Sequence, residues 1–343
     1  MDFKNGNELL VNNIVVDAHN DFLSDVIYLR SAGKTKVIEN KYLPIFRSGH
    51  VNVVVAAIFI ENIFIPGMVL ERALHQISCL KYEMEESQGL FRLCTTYSEI
   101  EEAIKSNEIA ILLSLECASP IQNNFDLLRI FYDLGVRFLG PAWARRNYVV
   151  DGSVISSNDN KSAGTFTEFG IRVIKEAERL GMTLDISHLT DNGAKQIDEY
   201  INGVYFASHS NTRFINNIER NLPDELIEKV SVRGGVIGVN FVNTIVAQSD
   251  QESTISRVID HIEHIVKIGG EDCVGIGADF FENLPCVGPL FEKGFETRDI
   301  SDVIKGYAGF PEFVELMIER GFTKGFIRKL IGGNFMRMFK QVL

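Results

Sequence analysis

Asn52–Ile60 reads NVVVAAIFI, an uncharged run of mostly branched apolar residues that ends at Glu61. A strand with one exposed face shows a polar residue at every second position, whereas this run is continuous. Such runs are typical of strands that are buried on both faces, as in parallel sheets covered by helices. The stretch therefore predicts a central strand of an α/β protein.

Similar short runs recur along the chain, and segments with helical spacing separate them. The other seven are Asn13–His19, Ala110–Glu116, Val136–Trp143, Met182–His188, Val204–Ser210, Gly235–Phe241 and Asp272–Phe280. The helical segments, with apolar residues three and four positions apart, are Met68–Gln88, Gln122–Leu134, Thr167–Gly181, Asp191–Tyr200, Pro223–Val232 and Glu252–Ile268. About eight alternations of strand and helix predict a (β/α)8 TIM-type barrel, in preference to a doubly wound sheet.

The length of 343 residues would suggest two domains at ~150 residues each, but barrels of ~250 residues or more are common. No low-complexity linker, repeat or hinge divides the chain. We therefore predict one domain over residues 1–343. Its long polar loops, near 144–164 and 282–306, follow predicted strands and are expected to act as lids or binding loops.

Composition excludes several classes of function. The chain carries 46 acidic and 34 basic side chains, a formal net charge of −12, which argues against nucleic acid or an anionic membrane as a partner. No run approaches the ~20 apolar residues needed to span a bilayer, and the N-terminus has no apolar signal region. Five cysteines without a CxxC pair favour a reduced, cytoplasmic protein.

Metal-capable side chains stand at the carboxyl ends of five predicted strands. They are His19 and Asp21 in DAHND, Glu116, His188, His209 and Asp279. Strand ends of this kind converge on one mouth of a barrel, so these residues can share a site. His19 and Asp21 are two positions apart on an extended segment and therefore project from one face. Imidazole and carboxylate without thiolate suit zinc or a similar divalent ion, and the set is large enough for two ions.

Each residue alone has a structural alternative. A single histidine is more often a hydrogen-bonded structural residue, Glu116 could be a rim carboxylate or a helix cap, and Asp279 could cap the following loop. Their joint placement on one rim favours the metal site. With a divalent ion beside it, Asp279 could take a proton from water and deliver it to a leaving group.

The ordered motifs carry a resemblance to a known family. DAHND, SLE, LGVRF, LDISH, SHSNTR followed by RNLPDE, VGIGADF and the C-terminal GGNFMRMF resemble the membrane dipeptidase (renal dipeptidase, peptidase M19) family, in its bacterial-type soluble form. The resemblance implies a barrel of the metal-dependent hydrolase kind with two Zn²⁺ ions. It also implies hydrolysis of dipeptides, including those with a C-terminal D-residue, by a metal-bridging water.

The resemblance assigns roles motif by motif. His19 and Asp21 would hold the first zinc, Glu116 would bridge both and take part in catalysis, and His188 and His209 would hold the second. Asp279 would be the catalytic proton carrier. Arg220 would bind the substrate carboxylate, for which a guanidinium offers two parallel donors; its alternative is a surface salt bridge to Glu219 or Asp224.

Two positions depart from the family pattern. Trp143 stands where the renal enzyme has a histidine that contacts the substrate carbonyl, and Ile245 stands where a tyrosine helps hold the carboxylate. An indole donates one hydrogen bond but cannot carry a proton, so Trp143 is expected to line the substrate site as an apolar wall. The anchoring features of animal members have no counterpart in this sequence.

Three functions therefore compete. The first is a zinc-dependent dipeptidase that acts on a small dipeptide substrate. Trp143 and Ile245 favour the second, a barrel hydrolase acting on another small amide, ester or lactone. The third is a metal-binding protein without catalysis, against which the presence of Asp279 beside a full ligand set argues. Manganese or cobalt would accept similar ligands, and the sequence leaves the oligomeric state open, with a homodimer among the options.

Overall fold

A curled parallel sheet forms the centre of the computed structural model, which describes residues 4–153, 164–281, 284 and 299–343. Within these residues the strands are β1 (Val15–Asn20), β2 (Val51–Ile58), β3 (Phe91–Leu93), β4 (Ile109–Leu115), β5 (Val136–Leu139), β6 (Thr183–Asp185), β7 (Tyr205–Phe206), β8 (Ile237–Val239) and β9 (Val274–Ile276). Six of the eight predicted strands join in the order β1-β2-β4-β5-β6-β7, and the other two, β8 and β9, pair with each other. The short strand β3, which was not predicted, pairs with the start of β4.

Backbone contacts connect the two sheets into a barrel. Ala207, just after β7, bridges to Ile237 of β8. On the other side, the Asp279 amide approaches the His19 carbonyl at 3.4 Å, which brings the end of β9 to β1. The fold is therefore the predicted α/β barrel of the TIM type.

Glycines allow the close approach of strands on the β7 side. A Cβ added to Gly277 would lie 1.6 Å from the carbonyl oxygen of Ser208, and one added to Gly238 would lie 2.0 Å from the same atom. A larger residue at either position would push the strands apart. The small residues before Asp279 therefore serve this packing between strands.

Helices surround the sheet, most of them on the outside of the barrel. They are α1 (Lys4–Val11), α2 (Phe22–Ser31), α3 (Leu43–Ser48), α4 (Val69–Glu86), α5 (Tyr97–Lys105), α6 (Asp126–Asp133), α7 (Glu168–Leu180), α8 (Asp191–Tyr200), α9 (Asp224–Val232), α10 (Asn243–Val246), α11 (Ile255–Gly269), α12 (Phe310–Glu319), α13 (Lys324–Arg328) and α14 (Asn334–Val342). Threonine side chains cap several N-termini, such as Thr167 at α7 and Thr190 at α8, because their hydroxyls accept an otherwise unpaired backbone N–H. The α4, α6, α7, α8, α9 and α11 helices match the six predicted helical segments to within a few residues.

Alternate residues of the strands supply two apolar layers. Val53 and Val55 of β2 belong to an inner cluster, and Val54 and Ala56 belong to the larger outer core beneath the helices. The inner cluster includes aromatic side chains of α14, where the Phe339 ring lies 5.6 Å from that of Phe138. Both faces of the sheet are thus buried, which explains the continuous apolar runs.

The structure describes the two predicted long loops only in part. Residues 154–163 of the first loop are not among the described residues, nor are 282–283 and 285–298 of the second. Their role as lids stays a prediction. Within the described ranges, no helix combines the length and the apolar character that crossing a bilayer requires.

Candidate metal centre

His19 and Asp21 stand at the carboxyl end of β1, where the chain turns into α2. His19 is nearly fully buried, and its Nε2 lies 3.5 Å from Oδ2 of Asp21. Asp21 is the residue immediately before the first turn of α2. Both side chains reach the same side of the barrel mouth, His19 from the end of β1 and Asp21 from the first residue after it.

Glu116 occupies the middle of the cluster. It follows β4 directly and is only 4% exposed. Its Oε1 lies 3.1 Å from His188 Nε2, 3.9 Å from His19 Nε2 and 4.0 Å from His209 Nε2. One carboxylate oxygen thus faces three imidazoles that arrive from three different strand ends.

His188 and His209 follow the neighbouring strands β6 and β7. Their Nε2 atoms are 2.9 Å apart, and the His209 ring stacks on that of His19 with centroids 3.6 Å apart. Three groups of side chains place their ligand atoms within 4.8 Å of one another: His19 with Asp21 and Glu116, Glu116 with His188 and His209, and His19 with Asp185 and His209. The structure therefore gathers all five predicted ligands in one place.

Burial and neighbouring charges shift the pKa values of the side chains in the cluster. Burial raises the pKa of Glu116 well above its ordinary value, and the nearby Asp21 and Asp279 add to that rise. Burial opposes protonation of His19, but the carboxylates of Asp21, Asp279 and Asp185 outweigh it and raise the pKa of His19 to about 9. Desolvation lowers the pKa of His188 and His209 well below the usual range, and the positive charges of Arg220 and His19 act in the same direction.

The donor set fits divalent metal. His19 Nε2, Asp21 Oδ1 and Glu116 Oε2 are buried atoms that find no hydrogen-bond partner among the described residues. Such atoms are costly unless something binds them. Neutral imidazoles beside carboxylates, without thiolates, are the ligands that zinc and similar ions take. A cation at this point would satisfy the orphaned atoms and offset the repulsion between the carboxylates.

Asp185, at the end of β6, supports the His209 side chain through the Ser208 hydroxyl, and it was not identified from the sequence. Its Oδ1 accepts from the amides of Ser187 and Ser208, each at 3.0 Å. Its Oδ2 accepts from the Ser208 hydroxyl, whose oxygen lies 2.6 Å from His209 Nδ1. Because that hydroxyl donates to a carboxylate, it accepts from His209 Nδ1–H, which leaves the Nε2 lone pair for a metal. The sequence offered one indication of it, since Asp185 is the aspartate of the LDISH motif that ends in His188.

Asp17 supports the end of β1 in the same way. Its Oδ1 accepts from the Ala278 amide at 2.8 Å and from the His19 amide at 3.3 Å, and its Oδ2 accepts from the Tyr307 hydroxyl. Burial raises the pKa of Asp17 to about 6, and these hydrogen bonds act against that rise. Asp17 therefore joins β1, the end of β9 and the C-terminal part of the chain around His19.

Asp279 lies on the rim beside His19, with Oδ1 3.9 Å from His19 Nε2. Its Oδ2 accepts from Asn240 Nδ2 at 2.7 Å, and its backbone φ is +56°. That left-handed conformation is uncommon outside glycine, and aspartate tolerates it better than most residues. Desolvation, the largest influence, raises the pKa of Asp279 to about 6 although 24% of the side chain remains exposed.

Arg220 points into the site from the segment that follows β7. It is 2% exposed, and its guanidinium donates to the Ser210 hydroxyl at 2.7 Å and to the His209 carbonyl at 2.6 Å. Burial lowers its pKa to about 10, so it stays charged at neutral pH. Its bonds are thus to neutral acceptors, and Asp224, considered above as a partner, instead accepts from His264.

Arg213 holds the backbone on both sides of Arg220. Its Nε donates to the carbonyls of Ile218 and Asn221, and its Nη2 donates to that of Glu219 at 2.9 Å. The same guanidinium forms a two-point ion pair with Asp191, with distances of 2.6 and 2.8 Å. The local fold around Arg220 is therefore fixed from outside the site.

Trp143 and Ile245, the two departures from the family pattern, are both buried. The Trp143 ring lies 5.9 Å from that of His188 and 5.1 Å from that of Phe59. Ile245 packs with Ile218 and Val242, and its carbonyl accepts from Asn216 and Asn221. Trp143 therefore borders the metal cluster, and Ile245 supports the Arg220 segment through its backbone.

A parallel barrel with histidines and carboxylates gathered at the carboxyl ends of its strands is an arrangement that metal-dependent hydrolases use. The family model described as "Membrane dipeptidase (Peptidase family M19)" matches residues 3–343. The chain thus belongs to the membrane dipeptidase family, and with it to the hydrolases that depend on divalent metal. The resemblance inferred from the motifs is confirmed.

Known relatives cover nearly the whole chain. An uncharacterized protein in the pqqA 5' region of Klebsiella pneumoniae is 28% identical over 284 residues, which cover 81% of this chain and 98% of the relative. A metallo peptidase from Rhodobacter sphaeroides, solved with a phosphinate mimic of the dipeptide L-Ala-D-Ala, has a TM-score of 0.81 at 23% identity and covers 97% of this chain and 100% of its own. The probable dipeptidase PvdM from Pseudomonas aeruginosa has a TM-score of 0.81 at 18% identity, with 99% and 98% covered. These structures share the fold of this chain.

Proposed function

We propose that this protein is a zinc-dependent dipeptidase with two metal ions, and that it accepts dipeptides with a C-terminal D-residue. The observation that carries the proposal is the convergence of five side chains at one end of the barrel, where several of their buried polar atoms have no hydrogen-bond partner among the described residues: His19, Asp21, Glu116, His188 and His209. Membership of the dipeptidase family supports it. The L-Ala-D-Ala mimic bound to the Rhodobacter relative supports the choice of substrate.

The ligands divide into two groups around Glu116. His19 and Asp21 would hold one ion, His188 and His209 would hold the other, and Glu116 would bridge them because its Oε1 faces all three imidazoles. Bound there, two divalent ions would polarise the scissile carbonyl and make water a stronger nucleophile at neutral pH. Zinc suits this mixture of histidines and carboxylates.

Asp279 would carry the proton. A carboxylate whose pKa is about 6 can take a proton near neutral pH and give it to the leaving amine. Asn240 donates to one of its oxygens, so the other remains directed at the site beside His19.

Arg220 would hold the α-carboxylate of the substrate. Its buried guanidinium has no direct carboxylate partner among the described residues, so it could donate two parallel hydrogen bonds to the carboxylate of a substrate. Trp143 would form an apolar wall beside His188.

Release of free amino acids tests the proposal. Purified protein loaded with zinc should hydrolyse L-Ala-D-Ala, and removal of the metal by a chelator should abolish the activity until zinc is added back. Failure to release amino acids from any dipeptide of an L,L and L,D panel, at full zinc loading, would contradict it.

Trp143 and Ile245 favour one alternative, a barrel hydrolase that acts on another small amide, ester or lactone. The same zinc-loaded protein would then cleave such a substrate and leave the dipeptides intact.

A further inference from the structure

Asp185 is a further carboxylate at the candidate metal centre, and both of its oxygens are already bonded. It is 4% exposed, and one of the three groups of possible ligands contains it together with His19 and His209. Its Oδ1 accepts from the amides of Ser187 and Ser208 and from the Ser187 hydroxyl, the last at 2.6 Å. Its Oδ2 accepts from the Ser208 hydroxyl. These donors occupy the lone pairs that an ion would otherwise use.

Asp21 and Glu116 differ from Asp185 in this respect. Each keeps one buried oxygen, Oδ1 of Asp21 and Oε2 of Glu116, without a hydrogen-bond partner among the described residues. Buried polar atoms of this kind need a partner, which an ion would supply. Asp21 and Glu116 are therefore suited to direct binding of metal, whereas Asp185 is suited to holding the ligands in place.

The Ser208 hydroxyl connects Asp185 with two histidines. Its oxygen lies 2.6 Å from His209 Nδ1 and 3.4 Å from His19 Nδ1. A hydroxyl has one hydrogen and two lone pairs. Because the hydrogen goes to Asp185, both lone pairs are left for the Nδ1–H groups of the two rings. Each ring then keeps the lone pair of its Nε2 for an ion.

The two rings belong to different proposed ion sites. His19 would hold one ion and His209 the other, so a single hydroxyl serves one ligand of each. The rings also stack, with centroids 3.6 Å apart, so a shift of one ring disturbs the other. His188 has no such support, because its Nδ1 is buried without a hydrogen-bond partner among the described residues. Ser208 thus links the two sites at the Nδ1 side of their ligands, as Glu116 does at the Nε2 side.

From these contacts we infer that Asp185 is a positioning residue shared by both ion sites, and that it acts through the Ser208 hydroxyl. Loss of this pair would weaken the binding of both ions, although neither side chain binds metal. The inference rests on the proposed two-ion centre and adds the residues that support it from outside the ligand set.

Two substitutions disturb the pair in different ways. Ser208→Ala removes the support of both rings at once. Asp185→Asn reverses one hydrogen bond: three donors meet Oδ1, so the amide oxygen takes that place and the NH₂ group faces Ser208. The Ser208 hydroxyl then accepts from the amide and turns its hydrogen to one of the two histidines. That histidine must accept at Nδ1 and carry its own hydrogen on Nε2, so the two Nε2 lone pairs are no longer available together.

Zinc titration of the full chain provides the measurement, since competition with a chromophoric chelator gives the dissociation constants of both ions. We expect Ser208→Ala to raise both constants, each by about 10-fold or more, and Asp185→Asn to raise that of the second ion by a similar factor. Asp198→Asn is the matched control. Asp198 also accepts from a hydroxyl of β7, that of Tyr205 at 3.1 Å, but it belongs to none of the groups of possible ligands. Its two constants should stay within about 3-fold of those of the wild type.

The double variant tests whether Asp185 acts through Ser208. Without the hydroxyl, Asp185 has lost its route to the rings, so Asp185→Asn combined with Ser208→Ala should bind zinc within about 3-fold of Ser208→Ala alone. Fully additive losses would overturn this part of the inference. A thermal melt shows which variants are folded, and Ser208→Ala, which removes a single heavy atom, still tests the shared role if Asp185→Asn does not fold.

Two other results would overturn the inference. A rise in only one constant of Ser208→Ala would show that the hydroxyl supports a single site. A wild-type protein that binds only one zinc ion would overturn the proposed two-ion centre itself, and the inference with it. The first result leaves the two-ion centre intact, so the two failures are distinguishable.

Discussion

The Nε2 atoms of His188 and His209 lie 2.9 Å apart, although the two residues are separated by 21 positions in the chain. They meet because β6 and β7 are neighbours in the sheet and each predicted strand run carries a Ser-His pair at or near its carboxyl end. Two ring nitrogens this close together, with Glu116 beside them, would let both imidazoles bind one ion, as we propose. Residues that are distant in the sequence thus come together because their strands are neighbours in the barrel.

The hydroxyl of Ser208 should control metal affinity without binding metal. It fixes the tautomer of His209, because it donates to Asp185 and accepts from His209 Nδ1. Ser208→Ala should weaken zinc binding by about 10- to 100-fold, the usual cost of losing a partner of a ligand. Competition with a chromophoric chelator measures the dissociation constant. The exposed Ser48→Ala is the control, and a change below about 3-fold in Ser208→Ala would refute this role.

Replacement of Asp279 should separate catalysis from metal binding. Asp279→Asn retains the shape of the side chain but cannot carry a proton, so kcat for L-Ala-D-Ala should fall by about 100- to 10,000-fold. The metal content should stay at the wild-type value. Steady-state kinetics and metal analysis of the same sample check both points, and a kcat within a few-fold of the wild type would exclude Asp279 as the proton carrier.

Arg220 should act on the carboxylate of the substrate. Arg220→Gln removes a charged two-point pair, so kcat/KM for L-Ala-D-Ala should fall by about 10- to 100-fold. The corresponding dipeptide amide, which has no carboxylate, should be hydrolysed slowly by the wild type and should lose much less on the substitution. Because Arg220 is buried, a thermal melt of the variant verifies that it is folded. Equal losses on both substrates would show that Arg220 does not recognise the carboxylate.

His261 should make the fold sensitive to acid. It lies in α11, where its Nε2 donates to the Val246 carbonyl at 2.9 Å and its Nδ1 accepts from the Thr212 amide at 3.2 Å. Burial lowers the pKa of His261 from 6.5 to about 4. The unfolded chain therefore binds the proton more readily, and the stabilisation is complete above pH 6.5 and is lost as the pH falls towards 4.

The expected loss is about 2 kcal/mol in the free energy of unfolding between pH 7.5 and pH 5. Urea denaturation at the two pH values measures it. His261→Gln, which cannot titrate, should be less stable at pH 7.5 and should lose that much less on acidification. An identical pH dependence in the variant and the wild type would disprove the assignment.

The fold was largely predictable because burial on both faces leaves a strong local signal. The first seven residues of NVVVAAIFI lie in β2, whose two sides face separate apolar layers. The residues at which strands begin and end were less predictable. Of the predicted strand Val204–Ser210, only Tyr205–Phe206 is a regular strand. The residues after it still bond to the β8 segment through the backbone, as Ala207 and Ser210 do, but as an isolated bridge and single bonds without a regular ladder. Phe91–Leu93 was missed because three residues show no period.

The candidate site was predictable for residues at strand ends and unpredictable for those that orient them. His19 and Glu116 could be predicted because they are of metal-binding residue types and stand at the ends of apolar runs. The roles of Asp185 and Ser208 depend on which hydroxyl meets which carboxylate across neighbouring strands, and no spacing in the chain encodes that.

The metal content of Glu116→Gln tests the central claim most directly. Glu116 faces the imidazoles of both proposed ion sites, so an amide in its place removes the bridging charge from both. Mass spectrometry of metals should find about two zinc ions per chain in the wild type and almost none in the variant. Wild-type protein that binds a single ion at saturating zinc, or a variant that still holds one, would contradict a centre bridged by Glu116.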